Sequence, residues 1–346
     1  MAQGNLNYIA IADMIENGQM DEVNHHLATH ANDFDVFGYA LLHRAAAHGH
    51  DLMVNLILQH GGDIETDNVK GATPLHCASK KGRNSTVELL LRHGSIIDSR
   101  DKEGFTPLHG AAKEGHDSTV ELLLQHGCSI DVRSNGELTP LHWAAAYGRN
   151  STVELLLRHG SDIGSLDNCK CSPWDWAATF GRVSTLELLL QHGAAIDSRD
   201  ERGRVALHRA AANPTKMAVE LLLQWGSCSL DSMDEDCRAP LHMAAMYGRD
   251  STIEFLLQQG SQALDWPDKG GITPLEWAIR DSYVRIGTKC KSTVRILKAA
   301  GASIGVVELD GLSADKIEFL YESIPEEEIL EIRYRIYFGP LLPRLL

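Results

Sequence analysis

The sequence predicts an all-α solenoid built from a 33-residue repeat of two helices and a hairpin turn, finished by a helical C-terminal cap. Three observations predict it. The tetrapeptide Thr-Pro-Leu-His and its variants start at Ala40, Thr73, Thr106, Thr139, Ser172, Val205, Ala239 and Thr273, spaced by 33 residues and then, for the last two steps, by 34. The second half of each repeat recurs almost letter for letter: STVELLLRHG at 85–94 and 151–160, STVELLLQHG at 118–127, STLELLLQHG at 184–193 and STIEFLLQQG at 251–260. Glycine follows most helical stretches, as at Gly115 and Gly127.

Each element of one repeat has a local cause. Thr106 is a good N-cap, and Pro107 is tolerated at the first helical position. Leu108, Ala111 and Ala112 make a small apolar face that lets neighbouring helices approach closely. Ser118 or Thr119 is expected to cap a second helix carrying Val120, Leu122, Leu123 and Leu124. Neither helix buries its apolar side alone, so the repeats must stack. Residues 11–30 keep the helix–Gly–helix rhythm without the tetrapeptide and read as a degenerate capping repeat over 1–34. Eight repeats follow, at 35–67, 68–100, 101–133, 134–166, 167–199, 200–233, 234–267 and 268–302. The last holds about seven extra residues near Asp281–Cys290, expected to bulge between its helices. Ala-Asn-Pro at 212–214 stands where Gly should end a first helix, which predicts a different ending and a kink. Residues 303–346 form an acidic extension. The period and the Thr-Pro-Leu-His-x-Ala signature make most of the chain resemble the ankyrin-repeat family.

Composition narrows the partners. The chain has 346 residues, 43% hydrophobic, and a formal net charge of −15, a poor match for nucleic-acid phosphates. No basic leader opens it, and no run of about 18 apolar residues suggests a membrane span. Seven cysteines without scaffold spacing favour a reducing compartment. A cytoplasmic protein is expected, with no basic nuclear-targeting cluster to decide for the nucleus.

The resemblance implies a protein-interaction scaffold whose concave groove is lined by the hairpins and first helices, with positions one, four and five after the tetrapeptide His near the groove. The first position holds Trp143, Trp176, Arg209, Met243 and Trp277; the fifth holds Tyr147, Phe180 and Tyr247. Residues four apart share a helix face, so Trp143 pairs with Tyr147 and Trp176 with Phe180. Met243, Tyr247 and Trp277 form a second apolar group, with Arg202, Arg204 and Arg209 between the two. Aromatics and Arg dominate binding hot spots, and a covered aromatic buries about 150–250 Å². The expected ligand is a peptide or loop of a partner protein. The first-position Trp residues can equally pack against neighbouring first helices. Lys80, Lys81 and Lys113, interrupted by Lys102, Glu103 and Glu114, read as a solvated face.

Nothing in the sequence suggests catalysis, a cofactor or a metal. The histidines recur with the period, in the series His76, His109, His142, His208 and His242 and at the ends His93, His126, His159 and His192. His25–His26, Cys169/Cys171 and Cys228/Cys237 lack companions at metal-ligand spacing. Asp175 and Glu276 replace the tetrapeptide His; they either accept hydrogen bonds in its place or offer carboxylates to a basic partner. In the tail, Ser323-Ile-Pro-Glu326 reads as a capping box before a helix that either caps the last repeat or docks a second protein. Ile324-Pro-Glu-Glu-Glu-Ile-Leu330 resembles the opening of F-box segments, which implies an alternative role: a substrate receptor recruiting a ubiquitin-ligase adaptor through 323–346. The final GPLLPRLL resembles the end of a SOCS box without its cysteine-containing helix.

Overall fold

The computed structural model describes residues 10, 11, 13, 14, 19–30, 41–226, 229–281, 289–303 and 326. Residues 1–168 with 191–193 form one compact unit, and residues 169–190 with 194–346 form another. Among the described residues every regular element is helical; the expected hairpins are hydrogen-bonded turns without strands, here called fingers.

In the first unit Met20–His30 precedes four helix pairs: Leu41–His48 with Asp51–Gln59, Pro74–Lys80 with Asn84–Arg92, Pro107–Glu114 with Asp117–Gln125, and Pro140–Tyr147 with Asn150–Arg158. The following pairs are Pro173–Thr179 with Val183–Gln191, Ala206–Ala211 with Met217–Gln224, Pro240–Met246 with Asp250–Gln258, and Pro274–Asp281 with Lys289–Ala299. The expected bulge falls on 282–288, outside the described residues, as do Cys228 and the tail apart from 304–346's single helical residue Glu326.

Each first helix starts for the reason its sequence suggests. Thr73, Thr106 and Thr139 are extended N-caps followed by Pro. The tetrapeptide His completes the cap: the Thr106 backbone N–H donates to His109 Nδ1 at 3.1 Å. The other ring nitrogen reaches the next finger, and His109 Nε2 donates to the Leu138 carbonyl at 2.9 Å. His43, His76, His208 and His242 make the same outward link, to the carbonyls of Ala72, Phe105, Arg238 and Trp266. In His76, His109, His208 and His242 Nδ1 accepts from the N-cap backbone while Nε2 donates, which only a neutral ring can do; among the described residues the buried His43 Nδ1 has no such partner. Burial agrees, lowering the pKa of all five and pushing His109 down to about 4.

The second helices start differently from the expectation. Asp117–Gln125 begins one residue before Ser118, and its N-cap, His116, makes no side-chain capping bond. Thr119 is fully buried, and its hydroxyl donates to Asn84 Oδ1 of the preceding repeat at 2.5 Å. Thr86 does the same to Asp51 at 2.5 Å, and Thr152 to Asp117. The threonine thus joins repeats instead of capping its own helix, because a buried hydroxyl needs a partner and the neighbour supplies it.

Packing in the first unit is between like elements: Ala78, Ala111, Ala112, Ala144 and Ala145 are fully buried where first helices meet. The finger backbones are also bonded in series, with Lys102 N–H donating to the Lys70 carbonyl and Asn135 N–H to that of Glu103, each at 2.9 Å. In the second unit Glu235 N–H donates to the Arg202 carbonyl at 2.8 Å. The helix Ala206–Ala211 ends early, as Ala-Asn-Pro predicts, and Asn213 Nδ2 donates to the Thr179 carbonyl at 3.0 Å in place of a glycine ending.

Candidate partner-binding surface

In the first unit, Trp143 and Tyr147 lie one turn apart on the helix Pro140–Tyr147, with ring centroids 5.9 Å apart. Tyr147 is 38% exposed. Lys113 Nζ stands over both rings, 4.4 Å from the Trp143 centroid and 5.0 Å from that of Tyr147. The finger residue Phe105 meets Trp143 edge-on at 5.4 Å. The aromatic pair is therefore a fixed surface rather than two loose side chains.

The second unit holds a second pair. Trp176 and Phe180 stack at 5.9 Å, and Phe180 is 44% exposed. Tyr247 is 42% exposed, with the Arg249 guanidinium 5.9 Å from its ring. Trp277 Nε1 donates to Asp268 at 3.0 Å, and Arg238 lies 5.0 Å over its ring while also bonding Asp268. Arg202 is exposed at a finger.

Three of the expected contact residues are instead occupied within their own unit. Met243 is only 7% exposed, so it packs rather than protrudes. Arg204 and Arg209 both hold the buried carboxylate of Asp200, at 2.9 and 2.5 Å, and Arg209 also reaches Cys171 Sγ at 2.7 Å. Burial alone raises the Asp200 pKa, but backbone N–H groups of Arg204 and Arg202 and the two guanidiniums outweigh it and hold the pKa low. A charge spent on such a buried pair is not offered to a ligand.

Asp175 and Glu276 are buried, which removes them as carboxylates for a basic partner. Asp175 Oδ2 accepts from the Ser172 backbone at 2.9 Å and its hydroxyl at 2.8 Å, and Glu276 Oε2 accepts from the Thr273 backbone at 2.9 Å. They replace the accepting half of the His and cannot make its donation to the next finger. Burial raises the Asp175 pKa. His126, His159 and His192 face Glu88, Glu121 and Glu154 of the preceding repeat at 2.9, 3.1 and 3.3 Å. Among the described residues no group of His, Cys, Asp and Glu side chains is arranged to hold a metal ion, and no helix is long and apolar enough to cross a membrane.

One feature escaped the sequence reading. Lys70 and Lys102 on the fingers join Lys80, Lys81 and Lys113 on the first helices around a single open groove of about 580 Å³ in the first unit, with Gly110 on its floor and Trp143 at one side. Lys80, Lys81, Lys102 and Lys113 read in the sequence as part of a solvated face of mixed charge; what escaped was that residues up to 43 positions apart, from Lys70 to Lys113, line one groove. Superposing successive repeats is the signal that could have found them, since fingers and first helices line the same side.

Comparison with known proteins identifies the class. The model for ankyrin repeats in three copies matches in overlapping sets at 8–101, 42–134, 86–167, 141–229 and 207–307, and the chain belongs to the ankyrin-repeat family. Among solved structures, the chain is similar to the human ASB11 ankyrin repeat domain, with a TM-score of 0.58 and 25% identity over 64% of this chain and 99% of that one. In all, 555 solved chains match, so the fold by itself selects no partner. No curated protein matches by sequence.

Proposed function

We propose that this chain is a protein–protein interaction scaffold that holds a peptide or loop of a partner against its fingers and first helices. The observation that carries this is the exposure of Tyr147 and Phe180, each ordered by a Trp one turn away. A rigid aromatic surface loses little conformational entropy on binding, which is why such residues serve as anchors. Trp143, Tyr147, Trp176, Phe180, Tyr247, Trp277 and Arg202 are the contact residues in this reading, and no catalytic step is assigned to the chain.

The test is affinity capture with mass spectrometry on wild type, Tyr147→Ala, Phe180→Ala and the double variant. The specific partner set is expected to fall about tenfold or more in the double variant, as two hot-spot truncations imply. Unchanged capture with unchanged helical content sinks the proposal. The second reading, a ubiquitin-ligase substrate receptor, rests on the F-box-like letters Ile324–Leu330, outside the described residues except for Glu326. Deleting 323–346 separates the two: adaptor capture is lost in a receptor, whereas a structural cap leaves a chain that melts early.

A further inference from the structure

We propose that the groove of the first unit, between the fingers at 68–72 and 101–105 and the helices Pro74–Lys80 and Pro107–Glu114, takes an extended acidic segment of a partner protein. This deepens, and rests on, the scaffold reading.

Charge supports the acidic ligand. Lys70, Lys80, Lys81, Lys102 and Lys113 line the groove against two carboxylates, Asp101 and Glu103. One of those is already engaged: Asp101 Oδ1 accepts from the backbone N–H groups of Glu103 and Phe105 at 2.9 and 2.8 Å. Among the described residues Lys70, Lys80 and Lys81 form no ion pair. Lys102 Nζ is fixed on the Val69 carbonyl at 3.0 Å, and Lys113 is fixed over the Trp143 and Tyr147 rings, so two of the five charges are held in place. A cationic groove in a chain of net charge −15 is the reverse of what its average composition produces. A concave site lined by one sign of charge concentrates ligands of the other.

Position one after the tetrapeptide His is Cys77, Gly110 and Trp143 in successive repeats, so the groove is lined by backbone at the middle one. A Cβ at Gly110 would stand 3.3 Å from Lys80 Cβ, so the glycine lets these two first helices approach closely. The walls argue for carboxylates rather than a nucleic acid. No arginine lines the groove, so the planar fork that grips phosphate is missing. Lys113 lies over Trp143 and Phe105 meets it edge-on, so a base has no clean ring to stack on.

A random-peptide phage library panned on the immobilised full chain tests this, with a parallel selection on Lys80→Glu/Lys113→Glu. Circular dichroism melts verify that each variant is folded, and Lys80→Gln/Lys113→Gln replaces the charge reversal if it is not. The expected wild-type pool is rich in Asp and Glu. A resynthesised peptide from it should bind the lysine variant about tenfold more weakly or worse. A wild-type pool without acidic bias, or one untouched by the lysine changes, overturns the inference and leaves the scaffold reading standing. Equal displacement of the peptide by polyuridylate overturns it in favour of general polyanion binding. No enrichment on wild type overturns it as well, and then Tyr147→Ala/Phe180→Ala capture decides whether the scaffold reading goes with it.

Discussion

At the scale of single residues, the STVELLL segment repeats because three of its letters face another repeat. Thr119 donates to Asn84, Glu88 accepts from His126, and Val120 is buried. Substitution at such a position must be matched in the neighbour, and the chain contains both outcomes. Aligning 216–220 with 250–254 puts Lys216 in the acceptor position that Asp250, Asp117 and Asn84 occupy. Lys216 bonds Glu220 instead, at 2.6 Å, and the buried hydroxyl of Thr252 is left without a partner. One repeat earlier, acceptor and donor positions hold Val183 and Ala218, an apolar pair with nothing to satisfy. Thr119→Val should therefore destabilise by about 1–2 kcal/mol, while Thr252→Val should be neutral or stabilising by up to about 1 kcal/mol. Urea-unfolding midpoints of the two variants check this; equal losses would show that the neighbour's acceptor is irrelevant.

At the scale of the element, the fingers carry local strain. The turn position two residues before each tetrapeptide is left-handed in every described finger. It is Gly at 71, 104, 203 and 271 but Glu137, Lys170 and Cys237 elsewhere, with φ of 60°, 59° and 59°. A Cβ in this region is disfavoured by roughly 1–2 kcal/mol. Glu137→Gly and Lys170→Gly should each stabilise by about 0.5–1 kcal/mol after the added freedom of the unfolded glycine is counted. Glu137 gives up only an exposed ion pair with Arg133 at 3.3 Å, which is worth little. The reverse change, Gly104→Ala, should destabilise by more, because its Cβ would lie 2.5 Å from Asn135 Oδ1 and 2.8 Å from Asn135 N. Melting temperatures of the three variants read this out, and a Glu137→Gly protein that melts earlier than wild type counts against the strain.

At the scale of the whole chain, the neutral histidines make stability depend on pH. His43, His76, His109, His208 and His242 have pKa values lowered by burial. As pH falls below about 6.5, the unfolded chain takes up protons that the native state refuses, so stability is lost from there downward. For His109, held near 4, the loss is about 3 kcal/mol once the pH passes below that value. Glu88 and Glu154, held low chiefly by side-chain bonds from His126 and Arg158 respectively, add losses only at lower pH. Asp175, raised by burial, works the other way with a single group. Urea midpoints should thus fall steadily between pH 7 and 5, and a flat profile there would refute the neutral-ring linkage.

The repeat, its first-helix starts, its helix endings and the early stop at Asn213-Pro214 were legible because they rest on neighbours in sequence: Thr-Pro sets a cap, Gly supplies a left-handed ending, and a period of 33 forces stacking. The aromatic pairs were legible too, since residues four apart must share a helix face. What letters could not convey was the partner of each polar group. Thr119 reads as a cap by type, yet its acceptor lies 35 residues away. Arg209 reads as a free binding charge, yet Asp200 and Cys171 enclose it. Lys70, Lys80, Lys81, Lys102 and Lys113 read as scattered surface charge until stacking brings fingers and helices to one groove. Covalent neighbours and helical period determine which elements form; burial and charge pairing across repeats decide which side chains remain for a partner.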